Sequence, residues 1–440
     1  PHHHSNKNDA FSLPEDVIKS MLAAGLDVAF TTDHDFTTNN DDSYHYAAKY
    51  GFPGYLPSEE ISCSWAHFNV VPQTPESYRF FLDENQENHV MDQFADFKVF
   101  VKQTHDAGAT ITANHPYYSY GLFYTNENSK VPGGYDNSFD NIEINACCSD
   151  EENIATINKA AELWSAYLIG GKVSGEPVTK AHYLLAASDT HDVIYPGIAN
   201  DKGASSIYHS GKGRTFVYLG DTAGMSMEEV GLATGKAIAK GNSFASLGPI
   251  FTPEKERMFG EKFVVTNADN WTFNTSVEVE SLNGIDTILL LSNLGDKTYE
   301  YNGQIIKNVL KIDKYAGENK LTYTISEKAG APNTWFAIMA IDASENKMFA
   351  VSNPFWVNAQ GYQKDIAGHW AKASIESLMA IGAIQGYQDG TFKPNNNITR
   401  AEFAAILVKA FALSPQQGKV FSDTANHWAK DSIATAAAHG

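Results

Sequence analysis

Arginine is nearly missing from this chain: Arg79, Arg214, Arg257 and Arg400 are the only guanidinium groups in 440 residues. With 52 acidic against 32 basic side chains, the formal net charge is -20. A surface of that sign repels a phosphate backbone, which argues against a general nucleic-acid binder. A small phosphorylated substrate stays compatible if metal ions, rather than arginines, neutralise it. Cysteine is equally scarce, and Cys63, Cys147 and Cys148 make an odd count that specifies no disulfide framework. Cys63 and Cys147 both follow expected strands and could pair or ligate, although a small buried hydrophobe is the commoner use of the residue. The chain also has no run of 18 or more apolar residues, so it offers no candidate membrane-spanning helix. It opens at Pro1 without a Met or a legible signal peptide, and its natural amino terminus is expected to lie further upstream.

What the chain does have is histidine and carboxylate in short, ordered groups. His2, His4 and Ser5 open it, Asp9 follows, and then come Asp33-His34, Glu60, His67, His115, and Asp189 with His191. Neutral imidazoles and hard carboxylates together suit borderline divalent cations such as zinc, manganese or iron. The opening triplet could instead be a tag remnant, but a tag is normally longer and followed by a linker rather than by a helix.

Placement sharpens this reading. Val28–Thr31 precedes Asp33-His34, Thr110–Ala113 precedes His115, and Leu184–Ala187 precedes Asp189 and His191, each run reading as a buried strand after a helical pattern. The first helix is expected to start in a capping box at Ser12–Glu15, to carry Val17, Ile18, Met21 and Leu22, and to close at Gly25. A second carries Phe94, Phe97 and Val101 before Gly108, and a third Ile154, Ile157, Ala161 and Trp164. Ser226–Glu229 caps a last one. Such βα alternation predicts a mainly parallel sheet, and in a closed βα barrel functional side chains collect at the carboxyl ends of the strands. Aromatic, Asn-rich loops at 72–90, 117–140 and 192–212 would then lie at the barrel mouth. In strands neighbours face opposite ways, so only one of Glu59 and Glu60 can enter the site, and His3 points away from its neighbours. His45, His89, His105, His182 and His209 lack strand-end placement and read as surface or core residues.

From about residue 262 helical periods give way to alternation, as in Val277-Glu278-Val279 and Trp335–Ile338, which predicts a separate β-sandwich over 256–358. The end of the chain is repetitive. Asp365, His369–Lys372 and Ser374-Ile375 recur as Asp423, His427–Lys430 and Ser432-Ile433 at a constant offset of 58 residues. Repeats that short pack against one another rather than each burying a core. One unit is expected over 362–420 and the start of a second, truncated one over 421–440.

The ordered set HxHS, TDH (Asp33, His34), EEIS (Glu60), AHFNV (His67), NHP (His115) and SDTH (Asp189, His191) resembles the polymerase and histidinol phosphatase, or PHP, superfamily. With GRTFVYL and SFASLGP downstream it looks most like the carbaryl-hydrolase-like branch. The resemblance covers roughly residues 1 to 355. It implies a distorted seven-stranded barrel over 1–255 that holds two or three divalent metals and acts as a phosphoesterase. It further implies that His2, His4, Glu60 and Asp189 hold one metal, and Asp9, His34 and His191 a second. Glu60 bridges to a third, held by His67 and His115. Asp33 would fix the ring of a liganding histidine, and His191 would be needed for turnover. Asp9 departs from relatives that carry His there. Tyr117 and Asn145 are expected to touch substrate or to brace the ligands.

The repeat, with GYQDGTFKPNNNITRAEFAAIL at 386–407, resembles the S-layer homology domain. That implies export and attachment to secondary cell-wall polymers of Gram-positive type, with Trp370, Arg400 and Glu402 in the signature positions. The function expected is a cell-surface hydrolase of phosphomonoesters or phosphodiesters that works through a metal-bound hydroxide. Carboxyl or carbamate ester hydrolysis on the same site is the enzymatic alternative. A non-catalytic S-layer or adhesion protein is the third reading, and the intact ligand set argues against it.

Overall fold

The computed structural model describes residues 3–6, 10, 12–83, 96–191, 210–266, 270–360, 363, 365–366, 368–387, 391–416 and 420–439. The expected ligands His2 and Asp9 and the helix residue Phe94 lie outside these, as does most of the 192–212 loop. Two compact units separate by contact. One comprises Pro1–Lys262, Thr275–Ile325 and Trp335–Trp356, and the other Phe263–Asn274, Ser326–Thr334 and Val357–Gly440.

In the first unit, α1 (Pro14–Ala23) turns Val17, Ile18 and Met21 inward while Leu22 faces solvent. Its N-cap is Leu13, with no side-chain cap, so the capping box expected at Ser12–Glu15 does not form. Proline at the first helical position starts the helix without one. β1 (Val28–Thr31), α2 (Asn40–Lys49) and β2 (Gly54–Pro57) follow, with β1 parallel to β2. Then β3 (Glu60–Cys63) and β4 (Ala66–Pro72) pair antiparallel across Ser64-Trp65. Two residues cannot carry a parallel crossover, and this is why the sheet is mixed where a mainly parallel one was expected.

After α3 (Pro75–Leu82) and α4 (Phe97–Asp106), β5 (Ala109–Ala113) lies antiparallel to β4. Beyond α5 (Leu122–Asn128), β6 (Asn141–Asn145) runs parallel to β5. α6 (Asp150–Ile169) starts in the capping box Ser149/Glu152 and ends at left-handed Gly170. A small hairpin, β7 (Lys172–Val173) with β8 (Glu176–Pro177), leads to β9 (Tyr183–Ala187), which is parallel to β6. Phe68, Phe97, Phe100, Phe139 and Trp164 fill the main core. Burying each such ring contributes roughly 1.5 to 3 kcal/mol.

Among the described residues these strands do not close into the seven-stranded barrel expected. They form separate ladders, β1-β2 and β3-β4-β5-β6-β9, and single bridges His3↔Thr190 and His34↔Glu60 join them at one end. The far edge of β9 is met by side chains instead of a strand. Asn353 Oδ1 accepts from Leu184 N at 2.7 Å and its Nδ2 donates to Leu184 O, while Thr215 Oγ1 both accepts from Ala186 N and donates to Ala186 O. Ser188 Oγ does the same for the Gly213 backbone.

β10 (Arg214–Val217), α7 (Met227–Lys240) and β11 (Ser243–Ser246) complete the region, and the Ser226/Glu229 capping box forms as the sequence predicts. Gly231 lets α7 approach β2, since a Cβ there would stand 1.9 Å from the Tyr55 carbonyl oxygen. The remaining strands are β12 (Ile250–Pro253), β13 (Lys262–Val265), β14 (Thr272–Ser292), β15 (Lys297–Tyr301), β16 (Gln304–Lys328), β17 (Asn333–Asp342), β18 (Phe349–Ser352) and β19 (Phe355–Ala359). They differ from a separate sandwich in that β10 and β11 open the same sheet, in the order β10-β11-β18-β17-β14-β16-β15. The apolar Phe216 and Phe244, stacked at 4.7 Å, start that continuous ladder.

The second unit contains α8 (Lys372–Ala380), α9 (Arg400–Ala410) and α10 (Lys430–Ala438). α8 and α10 begin 58 residues apart, and the turns before them repeat in detail. Ala371 N donates to His369 Nδ1 at 3.2 Å, and Ala429 N to His427 Nδ1 at 3.2 Å.

Candidate metal centre

Backbone contacts bring distant segments to one point. His4 N donates to Thr190 O at 2.9 Å, Thr32 N to His3 O at 2.9 Å, and Asp35 N to Glu60 O at 2.9 Å. The opening segment thus lies between the end of β1 and the turn after β9, and Glu60 opens β3 beside His34. Asp35, His115 and Asp189 sit in left-handed backbone, at φ 57°, 25° and 51°. Sharp turns of this kind aim side chains back over the strand ends and suit Asp and His better than branched residues.

The Glu60 carboxylate is the hub. Its Oε2 lies 3.2 Å from His4 Nε2 and 3.2 Å from His34 Nδ1, and its Oε1 lies 3.2 Å from His67 Nδ1 and 3.6 Å from His115 Nε2. Asn114 Nδ2 donates to Oε1 at 2.8 Å. Asp189 Oδ1 stands 3.4 Å from His4 Nε2 and 3.6 Å from His191 Nδ1. His4 stacks on His34 at 4.3 Å, with His191 4.3 Å from it on a tilted plane. Burial first, then the neighbouring His191 and His34, hold His4 below the usual imidazole range, which keeps a lone pair available. At His115 burial pulls the same way, but the Glu60, Asp189 and Glu143 carboxylates together outweigh it and raise the ring.

Two donor sets are close enough for one ion each: His4, His34 and His191, and His34, Glu60 and His67, with each set's ligand atoms within 4.8 Å of one another. Imidazole nitrogens with a shared carboxylate fit a divalent cation of the zinc, manganese or iron class. The structure therefore brings His4, His34, Glu60, His67, His115, Asp189 and His191 together. His3 turns the other way, into a groove of about 430 Å³ lined also by Val28, Phe30, Phe216 and Ile238.

Other expected residues have different tasks. Asp33 accepts from Ser5 N, from Ser5 Oγ at 2.6 Å and from Asn39 Nδ2 at 2.9 Å, so among the described residues it fastens the opening segment. Asn145 bonds Glu143 Oε2 at 2.8 Å, and Glu143 accepts from His115 N at 3.0 Å, which makes Asn145 a brace. Tyr117 turns to Glu127 and Phe123, while its neighbours face the cluster: Tyr120 stacks on His67 at 5.5 Å and Tyr118 meets His115 edge-on at 5.7 Å.

Sequence reasoning passed over Glu143, Asn114 and Ser62, and it named Cys147 only as a residue that could pair or ligate. Ser62 Oγ hydrogen-bonds His34 Nδ1, and Cys147 Sγ donates to Asp189 Oδ2 at 3.2 Å. A signal existed for Glu143, since Asn141, Glu143 and Asn145 alternate with isoleucine in a buried strand and so share a polar face. Glu59, beside the hub, is fully buried, and its carboxylate oxygens have no hydrogen-bond partner among the described residues. Burial, then the Asp35 charge, pushes it up to about 8.

In the second unit Trp370 is 89% exposed against His369, and Arg400 is exposed at the start of α9. Glu402 accepts from Thr399 N at 2.7 Å and from Thr399 Oγ1 at 2.9 Å, and so closes the capping box of α9.

Residues 364–404 match the S-layer homology domain family. The chain is 46% identical over 74 residues to the cellulosome-anchoring protein of Acetivibrio thermocellus, 16% of this chain and 17% of that one. It is 31% identical over 104 residues to S-layer protein EA1 of Bacillus anthracis, 23% of this chain and 12% of that one. The chain thus spans less than a fifth of the length of these curated relatives. Its localisation is extracellular, in association with the cell wall or S-layer. Among solved structures, an amidohydrolase from Chromobacterium violaceum overlaps 44% of this chain and 87% of its own at TM-score 0.29 and 14% identity. Endonuclease Q overlaps 52% of this chain and 54% of its own at TM-score 0.32 and 12% identity. Overlaps that loose leave the chemistry to the residues of this chain.

Proposed function

We propose that this chain is a cell-surface, metal-dependent hydrolase of phosphomonoesters or phosphodiesters, built on a PHP-type module through about residue 355. The observation that supports it best is Glu60, one carboxylate within 3.6 Å of four imidazoles drawn from four segments. In this reading His4, Glu60 and Asp189, with His2, hold one cation, and His34 and His191, with Asp9, hold a second. His67, His115 and Glu60 offer a third position. Such ions supply an activated water and charge neutralisation at a phosphoryl group.

The chain's own groups do the rest. Asp33 keeps the opening segment seated, Asn114 and Glu143 fix the faces of Glu60 and His115, and Tyr118 and Tyr120 form an aromatic wall against which a substrate leans. That wall favours one other reading, in which a carboxyl or carbamate ester with an aromatic group is the substrate, as the carbaryl-hydrolase-like resemblance implies. We assign the repeat from 362 onward to a secondary cell-wall polymer, through Trp370, Arg400 and Glu402.

Elemental analysis of the purified chain, with turnover of an aryl phosphate, an aryl phosphodiester and an aryl carbamate under added manganese or zinc, tests the enzyme reading. His191→Ala should abolish phosphoester turnover and preserve the fold. Near-wild-type phosphoester activity in that variant would sink the assignment, and cleavage of the carbamate alone would move it to the ester reading. Sedimentation with purified cell walls, with and without residues 360 onward, tests the anchor.

A further inference from the structure

β6 ends in a turn that carries two adjacent thiols. Asn145 Oδ1 accepts from Cys147 N at 2.9 Å and Asn145 O from Cys148 N at 3.1 Å. Asn153 of α6 donates to the carbonyls of Asn145 and Cys148 at 3.0 and 3.4 Å. The turn is therefore pinned by its backbone, and the side chains are free to do something else. Cys147 Sγ donates to Asp189 Oδ2, the oxygen opposite the one that faces His4 and His191. A hydrogen bond between the two thiols, then burial and the Asp189 charge, push the Cys147 thiol up. Both cysteines are half-buried, whereas Cys63 is sealed in the main core.

We propose that Cys147 and Cys148 form a redox modification site, which closes to a vicinal disulfide and supports Asp189 only as the dithiol. The two are neighbours in one backbone-pinned turn, and the localisation is one where thiols meet oxidants. Consecutive Cα atoms lie about 3.8 Å apart, under the roughly 4.4 Å at which disulfides ordinarily begin. A bond closed there is strained, and it reopens readily.

The oxidant is a small external disulfide. One cysteine, as its thiolate, attacks it, releases a small thiol and becomes a mixed disulfide. The second cysteine then attacks the first one's sulfur and expels the other small thiol. Two electrons pass from the protein to the reagent, and the two cysteine protons end on the released thiols. Cys147 then has no S–H, and Asp189 Oδ2 loses its donor. Losing an outer hydrogen bond of this kind typically costs about 10 to 100-fold in metal affinity. This metal consequence rests on the hydrolase reading, and the disulfide itself does not.

The full chain, treated with oxidised glutathione, alkylated and digested with trypsin, should yield a peptide 131–159 about 2 Da lighter and free of alkyl label. A lasting glutathione adduct, or alkylation of both thiols, overturns the site. In parallel, calorimetry with manganese alone should show affinity falling about tenfold or more on oxidation and returning with reductant. Cys148→Ser, which cannot close the bond, should hold the reduced-state affinity after the same treatment in the fraction whose mass shows no glutathione on Cys147, and a loss of affinity in that fraction overturns the link to Asp189. Unchanged wild-type affinity on oxidation overturns the link to Asp189. A disulfide that forms in a chain binding no manganese in either state supports the site and counts against the hydrolase reading alone.

Discussion

The histidine cluster and the carboxyl-terminal repeat are built by opposite means. In the cluster, the distances that converge on Glu60 and His4 join residues remote in sequence: His4 to Glu60, His4 to Asp189, Asn114 to Glu60. In the repeat, the contacts that recur before α8 and α10 and the one that caps α9 span two or three residues, as in Ala371 N to His369 Nδ1 and Thr399 with Glu402. The first is buried and acquires its chemistry from desolvation, and the second is exposed and keeps its side chains in water. Substitutions should therefore propagate in the cluster and stay local in the repeat.

The sharpest test of that contrast is Glu60→Gln. Removing the charge shared by four rings should weaken metal binding by at least about a hundredfold, the upper end for groups that merely support a ligand. Metal content after dialysis reads it, and a wild-type value would erase the distinction. The next effect concerns stability. Glu59 is raised from 4.5 to about 8, so between those pH values the folded chain keeps a proton that the unfolded chain has lost. Its contribution favours the fold below about 4.5 and is lost as pH rises to about 8, with an upper bound of roughly 5 kcal/mol. Glu59→Gln should flatten that decline, measured as urea midpoints at about pH 5 and pH 9. A slope identical to wild type would refute the buried-carboxyl account.

Smaller effects follow. Asp33→Asn, which weakens the hold on Ser5, should cost about tenfold in metal affinity by calorimetry without changing the ligands. In the repeat, Thr399→Ala should cost about 1 kcal/mol through loss of the α9 cap. Trp370→Ala should change stability by less than about 0.5 kcal/mol while reducing sedimentation with cell walls. An unchanged metal affinity in Asp33→Asn alongside a large stability effect from Trp370→Ala would break the comparison outright.

The same contrast governs what the sequence reveals. The repeat is legible because its signals are local: the 58-residue offset in the sequence returns as the same turn before α8 and α10. Strand-end placement pointed to the side chains that gather around Glu60, because a βα run ends where its side chains can converge. It did not show how the strands pair. The antiparallel β3-β4 turn depends on Ser64-Trp65 being only two residues long, and the sheet begun by β10 and β11 depends on contacts with strands more than a hundred residues away. The family resemblance implies that Asp33 partners a histidine ring. The geometry gives it to Ser5 and Asn39, which nothing adjacent in the chain announces.

The side-chain ladder along β9 bears on how the chain behaves among its own copies. An open strand edge offers unpaired amides and carbonyls as a template for another molecule. Here Asn353 and Thr215 imitate the missing neighbour and occupy the Leu184 and Ala186 backbone groups from within the same fold. The edge is thereby insulated against intermolecular pairing without a further strand. For a protein at the cell surface, that is protection against aggregation, vested in two polar side chains.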